Sequence, residues 1–256
     1  MDKSLADARE RIRGMGRAVV CFSGGIDSTA LLNIAKEALG DGAVAVMADV
    51  PMLSERQRDI ALVTAKDLGV RLETLFIGWD GLGGIEQNGS DRCYLCKKAM
   101  YTSIRAFADG LGIESILNGD LADDDASDRP GMRAAAEFGI ISPFRDAGAT
   151  KPAVQAYTES LDLELDLVKE TCMLMRYPVG TPVTEDDLEL IEDLEYGIRS
   201  ITGLKQLRVR MSGRELRLQT SEEEMHVLRE CEPDISDYLE SVGFRYTLMD
   251  QPYRGH

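Results

Sequence analysis

A short apolar run, Arg17-Ala-Val-Val-Cys-Phe22, stops at Ser23-Gly-Gly-Ile-Asp-Ser28, and Thr29-Ala-Leu-Leu-Asn-Ile-Ala-Lys-Glu-Ala-Leu39 then keeps helical spacing up to Gly40. This strand, glycine turn and helix constrain the fold more than any other feature of the chain. An apolar run without alternation predicts a strand covered on both faces, and a helix that follows it directly predicts a parallel crossover. The unit recurs, with strands predicted over residues 43–48, 71–77 and 115–118, and helices over 54–68 and 97–111. Alternation of this kind implies an α/β fold, a parallel sheet with helices on both faces. From about Pro152 the pattern changes to acidic helical stretches at 153–160 and 185–200. Short strands at 205–211 and 215–219 and helices at 222–231 and 235–243 follow. We therefore expect a nucleotide-type α/β domain over residues 1–150 and a smaller α+β domain over 151–256.

Charge narrows the partners. Lys+Arg 29 against Asp+Glu 45 leaves a formal net charge of −16, a field that repels polyanions and favours a small-molecule ligand over nucleic acid. Only two histidines are present, His226 and His256, so a Ser-His-Asp triad or an all-histidine metal site has little material. No run approaches the ~18 apolar residues of a membrane span, and the first residues lack the apolar stretch of a signal peptide. The expectation is a cytoplasmic protein that keeps its five cysteines as reduced thiols. The acidic run Asp120-Leu-Ala-Asp-Asp-Asp125 reads as a solvated loop or, less simply, as a cation site.

The loop at 23–28 has the chemistry of an anion site. Its glycines let the backbone approach a phosphate, the Ser23 and Ser28 hydroxyls donate hydrogen bonds, and the helix N-terminus adds its positive dipole end. No Gly-Lys-Ser/Thr follows and no lysine lies nearby to reach terminal phosphates, so it is not a Walker A loop. A tight turn with a serine cap remains the alternative. The cysteines carry the second signal: Cys93-Tyr-Leu-Cys96 opens a predicted helix, and Cys172 stands in Lys169-Glu-Thr-Cys-Met-Leu-Met-Arg176. Three thiolates suit a [4Fe-4S] cluster with one open iron, whereas zinc needs a fourth ligand that neither Cys21 nor Cys231 is placed to give. A redox-active pair, or small core residues, are the plainer readings.

Ser23 to Ser28 resembles the SGGxDS loop of the PP-loop ATP pyrophosphatases, which split ATP between the α and β phosphates and adenylate a carbonyl or carboxylate oxygen. The resemblance sharpens with Cys93-Tyr-Leu-Cys-Lys97, Asn118-Gly-Asp-Leu-Ala-Asp123, Asp128-Arg-Pro-Gly131 and Ser142-Pro143. It continues through Cys172 to Arg176, Gly180-Thr181, Ile191-Glu192 to Glu195, and Arg208-Val-Arg210. Together these resemble the LarE family, the pyridinium-3,5-biscarboxylate mononucleotide sulfur transferases that help build the nickel-pincer nucleotide cofactor.

The resemblance implies that ATP binds at Ser23, Gly24, Gly25, Asp27 and Ser28, with Asp27 also associated with Mg²⁺. It implies that Cys93, Cys96 and Cys172 hold the [4Fe-4S] cluster, and that Lys97, Arg176, Glu195, Arg208 and Arg210 serve the nucleotide substrate. Arg208 and Arg210 alternate along a strand and share one side, where a phosphate clamp or a solvated face are both possible. Family members with a lone cysteine at position 172 give up its own sulfur instead. The resemblance further implies a sulfide donor or cluster-assembly proteins as partners, and a homo-oligomer. The chain departs from the family at Leu167-Val-Lys-Glu-Thr171, at Met173-Leu-Met175 and at Met211, where a histidine is usual. An amide ligase resembling NAD synthetase, a tRNA thiolase and an adenylate-binding scaffold are the competing readings.

Overall fold

The structure, a computed structural model, describes residues 1–124, 130–161, 163, 170–213 and 215–248. The chain divides into two compact units, Met1–Ile85 with Asp91–Leu167, and Glu86–Ser90 with Val168–His256.

The first unit is built on β1 (Ala18–Cys21), β2 (Ala43–Asp49), β3 (Leu72–Phe76) and β4 (Ile116–Leu117), in the order β3-β2-β1-β4 with every pairing parallel. Val19 and Val20 of β1 are fully buried, as a strand covered on both faces requires. Around the sheet lie α1 (Lys3–Arg13), α2 (Ile26–Leu39), α3 (Glu55–Asp67), α4 (Arg92–Gly110), α5 (Pro130–Glu137), α6 (Pro143–Asp146) and α7 (Lys151–Glu159). The first unit thus runs past residue 150 and takes in α7. The α1 helix was not expected; its apolar stripe is only Leu5, Ala8 and Ile12 among charged residues, with Asp2 capping the Ser4 amide. Leu5 and Ile12 join Val20, Leu31, Leu32 and Phe144 in one core, which fixes β1 and α2 as a rigid pair. The order matters for function: the chain runs from β1 outward to β3 and then crosses to β4 on the other side of β1. The crevice beyond the C-terminal ends of β1 and β4 is therefore the point where the winding reverses, the usual ligand position of an open α/β sheet.

The second unit has α8 (Glu185–Thr202), β5 (Leu207–Ser212), β6 (Glu215–Thr220), α9 (Met225–Glu230), α10 (Glu232–Ser241) and β7 (Arg245–Leu248). The β5 and β6 strands, both expected from the sequence, pair antiparallel, and β7, not foreseen from the sequence, adds parallel to β6, so the small sheet is mixed. Thr184 and Asp187 exchange hydrogen bonds at the start of α8, a capping box that fixes where its long apolar face begins. No helix among the described residues is long and apolar enough to cross a membrane.

Candidate functional site

Residues 23–28 lie directly after β1, at the winding reversal. Gly24 adopts φ 72°, and a Cβ there would fall 2.8 Å from the Ala61 backbone of α3. A side chain is thus excluded twice, by the dihedral and by space. The loop is held from within: the Ser23 and Ser28 hydroxyls are 3.1 Å apart, the Ser23 amide donates to Ser28 Oγ at 3.3 Å, and Ser28 Oγ donates to the Gly25 carbonyl at 3.0 Å. From outside, Gln57 Nε2 donates to the Ser23 carbonyl. Gly25 is the N-cap of α2 and brings no side chain to it, which leaves the positive end of the helix to an incoming anion. Gly119, after β4, packs against this turn so closely that a Cβ would lie 3.2 Å from the Asp27 carbonyl carbon. The Gly24→Ala protein is expected to lose about 1–3 kcal/mol of stability and its nucleotide affinity with it. Urea unfolding and nucleotide titration of the same sample check both.

The fold brings to this loop a residue that sequence neighbourhood gave no sign of. Lys151, first residue of α7, places its Nζ 2.7 and 2.9 Å from the two carboxylate oxygens of Asp27. The expectation that no lysine lies nearby is corrected: one stands on the loop aspartate itself, contributed from far along the chain.

Beside the loop, at the end of β4, Asn118 organises a buried polar group. It donates to Asp120 Oδ2 at 2.9 Å and to the Tyr101 hydroxyl at 3.4 Å, and it accepts from Ser142 Oγ at 2.6 Å. Asp120 also faces Arg145 at 3.9 Å, while Asp123 accepts the Lys151 amide and Asp124 the Leu121 amide. The described part of the acidic run, 120–124, is thus spent on local structure. Lys97, exposed, sits with its Nζ 5.7 Å from the centre of the Tyr101 ring. Tyr101 first, then Cys96, Cys21 and Asp120, raise the Lys97 pKa above the usual lysine value against the opposing effect of desolvation. Lys97 therefore stays a cation and can meet a carboxylate.

Cys93 and Cys96 fall in the first turn of α4, one helical turn apart and so on one face. Cys93 is exposed and Cys96 partly buried; burial raises the Cys96 thiol and pushes Cys21, at the end of β1, up to about 12. Thiolates are the reactive form, so iodoacetamide at pH 8 is expected to label Cys93 first and to spare Cys21. Peptide mapping of partially labelled protein reads that order.

In the second unit, Cys172 caps the 3-10 turn Met173–Arg176. Behind it lies an ion-pair frame. The Arg176 side chain has no exposure; its Nε meets Glu195 Oε1 at 2.7 Å and its Nη1 donates to Thr171 Oγ1 at 2.6 Å. Glu195 accepts in addition from Arg199 Nη2 at 3.1 Å and from the Val209 amide of β5 at 3.0 Å. Glu170 lies 3.7 Å from Arg176 and 3.6 Å from Arg199. Burial alone would lower the Arg176 pKa, but Glu195, joined by Glu170 and Cys172, overrides it and holds the guanidinium above its ordinary value. On β5, Arg208 is buried and Arg210 donates to the Met175 carbonyl at 2.8 Å and to Gln219 at 3.1 Å. Asn88, fully buried at φ 51°, donates to the Pro178 carbonyl at 3.0 Å and the Leu174 carbonyl at 3.3 Å. Sequence reading missed Asn88 and Gln57, which act through long-range bonds, and Arg199, which meets Glu195 one helical turn away.

Of the expected residues, the fold gathers Ser23, Gly24, Gly25, Asp27 and Ser28 at one turn, and Cys172, Arg176, Glu195 and Arg210 about another. Cys93, Cys96 and Lys97 share the start of α4 in the first unit, whereas Cys172 belongs to the second. Among the described residues no group of three His, Cys, Asp or Glu side chains is arranged to hold a metal ion.

No family model matches the chain. It is 30% identical over 241 residues to the pyridinium-3,5-bisthiocarboxylic acid mononucleotide synthase of Lactiplantibacillus plantarum, covering 93% of this chain and 87% of that protein. It is 27% identical over 256 residues to an uncharacterized protein of Synechocystis, covering 98% and 94%. A third relative, an uncharacterized protein of Methanocaldococcus jannaschii, is 31% identical over 184 residues, covering 72% of this chain and 70% of the relative.

Proposed function

The chain belongs to the LarE family, that of the pyridinium-3,5-bisthiocarboxylic acid mononucleotide synthase, and on that premise we propose that it inserts sulfur, at the expense of ATP, into a carboxylate of pyridinium-3,5-biscarboxylate mononucleotide. The observation that carries the nucleotide half is the turn at 23–28, an uncapped helix start with two hydroxyls at the winding reversal of a parallel sheet. Ser23, Ser28 and the amides of the turn bind the phosphates, and Asp27 takes the Mg²⁺ that accompanies them. A substrate carboxylate oxygen bonds to the α-phosphorus as the bond to the β-phosphate oxygen breaks, releasing pyrophosphate. The acyl-adenylate formed carries AMP as its leaving group, so a sulfur nucleophile forms the C–S bond as the C–O bond to AMP breaks.

Cys93, Cys96 and Cys172 are donors of the kind an iron–sulfur cluster takes, although the described residues do not gather them into one metal-binding group; we propose that they would hold a [4Fe-4S] cluster, which would supply the sulfide. Lys97 steadies the carboxylate. Arg208 and Arg210, on one side of β5, hold the substrate phosphate, with Arg210 also fixing the Cys172 turn through Met175. Arg176 and Glu195 satisfy each other in the interior, so we place them as the frame of that turn and not on the substrate.

Protein purified without oxygen and supplied with ATP, Mg²⁺ and the biscarboxylate mononucleotide is expected to release AMP and pyrophosphate and to yield a thiocarboxylate by mass spectrometry. Pyrophosphate release that depends on ammonia, with an amide as product, would replace this reading by that of a ligase.

A further inference from the structure

The loop aspartate is occupied in a way the adenylation chemistry must undo. Both Asp27 oxygens accept from Lys151 Nζ, and the two side chains are about one-third exposed, 39% and 33%, so a ligand at the turn can reach them. Lys151 is not placed there by its own flexibility. Its backbone amide donates to both oxygens of Asp123, at 3.1 and 3.0 Å. That carboxylate serves as the cap of α7, because the N-cap Thr150 gives no side-chain bond. The far end of α7 is pinned as well, by Thr158 Oγ1 donating to the Ile26 carbonyl at 3.2 Å. The α7 helix is thus fixed across the start of α2, with its first side chain aimed at the phosphate turn.

We propose that Lys151 is a phosphate-binding residue of the ATP site that exchanges Asp27 for the β and γ phosphates when Mg²⁺ arrives, and that Asp123 is the residue that positions it. The proposal rests on the nucleotide reading above. Mg²⁺ demands oxygen ligands in a tight shell, and a carboxylate that passes to a divalent cation can no longer hold an ammonium on both oxygens. The displaced ammonium then finds its nearest anions on the phosphates that carry the same metal. Before ATP binds, the pair keeps the turn neutral; after it binds, the charge is spent on the leaving pyrophosphate.

The exchange predicts effects of opposite sign, which a merely structural lysine would not produce. Titration calorimetry with α,β-methylene-ATP, which cannot be split at the α–β bond, and with AMP, which lacks the outer phosphates, reads them. In Lys151→Met the Kd for Mg²⁺·methylene-ATP is expected to rise about 10- to 100-fold while that for AMP stays as in the wild type. The Mg²⁺ needed for half-saturation, at methylene-ATP well above each protein's Kd, is expected to fall, because the competing cation is gone. Asp123→Ala should reproduce the weaker methylene-ATP binding in part, and Asp123→Asn, which keeps an acceptor oxygen, should recover it. Unchanged methylene-ATP affinity in Lys151→Met, or an equal loss of AMP and methylene-ATP, overturns the exchange while leaving the nucleotide site standing. Wild-type protein that binds neither nucleotide overturns both.

Discussion

Cys172→Ala protein is expected to lose thiocarboxylate formation by on the order of 10⁴-fold or more, the scale on which removal of a reacting group acts, while still releasing pyrophosphate from ATP in the presence of the biscarboxylate. In the proposed mechanism the two halves of the reaction draw on different parts of the chain. Ser23 to Ser28, Asp27 and Lys151 belong to the first unit, and Cys172 to the second, so removing one thiol leaves the phosphate turn and its bonds as they are. Cys93→Ala then decides how the sulfur is carried. With a cluster on three thiolates, wild-type protein made without oxygen holds about four irons per chain with labile sulfide, and Cys93→Ala loses the metal, the sulfide and repeated turnover together. With Cys172 as its own sulfur source, wild-type protein carries no iron and Cys93→Ala turns over once. Each product molecule then leaves a chain lighter by one H₂S, its Cys172 converted to dehydroalanine. Pyrophosphate release that vanishes in Cys172→Ala would instead tie this thiol to the adenylation half and contradict the division of labour.

What could be read from the sequence follows the range of the interactions that carry it. The turn at 23–28 was legible because strand, glycine turn and helix are contiguous, and each is specified by local preferences. The CxxC pair was legible because its spacing places both thiols on one helical face. Lys151 was not, because 124 positions separate it from Asp27 and nothing within α7 marks its first lysine as special. Asn88 was invisible for the same reason: its value lies in the carbonyls of Leu174 and Pro178. Glu195 shows the same limit from another side, since the resemblance assigned it to the substrate and nothing within its helix announced an internal partner. On an acidic helix most glutamates are solvated, yet this one is buried because Arg176 and the Val209 amide converge on it from two other elements. The β7 strand escaped for a different reason, since four residues at the edge of a small sheet carry too little alternation to stand out.

The convergence on Glu195 yields the largest effect expected on stability. Arg176, Arg199, Glu170 and Glu195 sum to zero charge in a largely buried volume. Glu195 alone serves three donor groups: the guanidinium of Arg176, that of Arg199, and the Val209 amide. Glu195→Gln leaves a net positive charge among these residues and Arg176→Met a net negative one, and a buried charge without its partner costs about 3–5 kcal/mol. Each single variant should therefore shift the urea midpoint of the second unit strongly. The double variant restores neutrality, with Arg199 and Glu170 still paired, and so should cost less than the two singles added, by about 1–3 kcal/mol. A functional trace should accompany the loss. The 3-10 turn that bears Cys172 hangs on Arg176 through Thr171, so both single variants should speed the alkylation of Cys172 under folding conditions, while labelling of Cys93, carried by the first unit, stays at its wild-type rate. Single variants within about 1 kcal/mol of wild type would mean that the frame is incidental, and that Arg176 and Glu195 are free to be reassigned to the substrate.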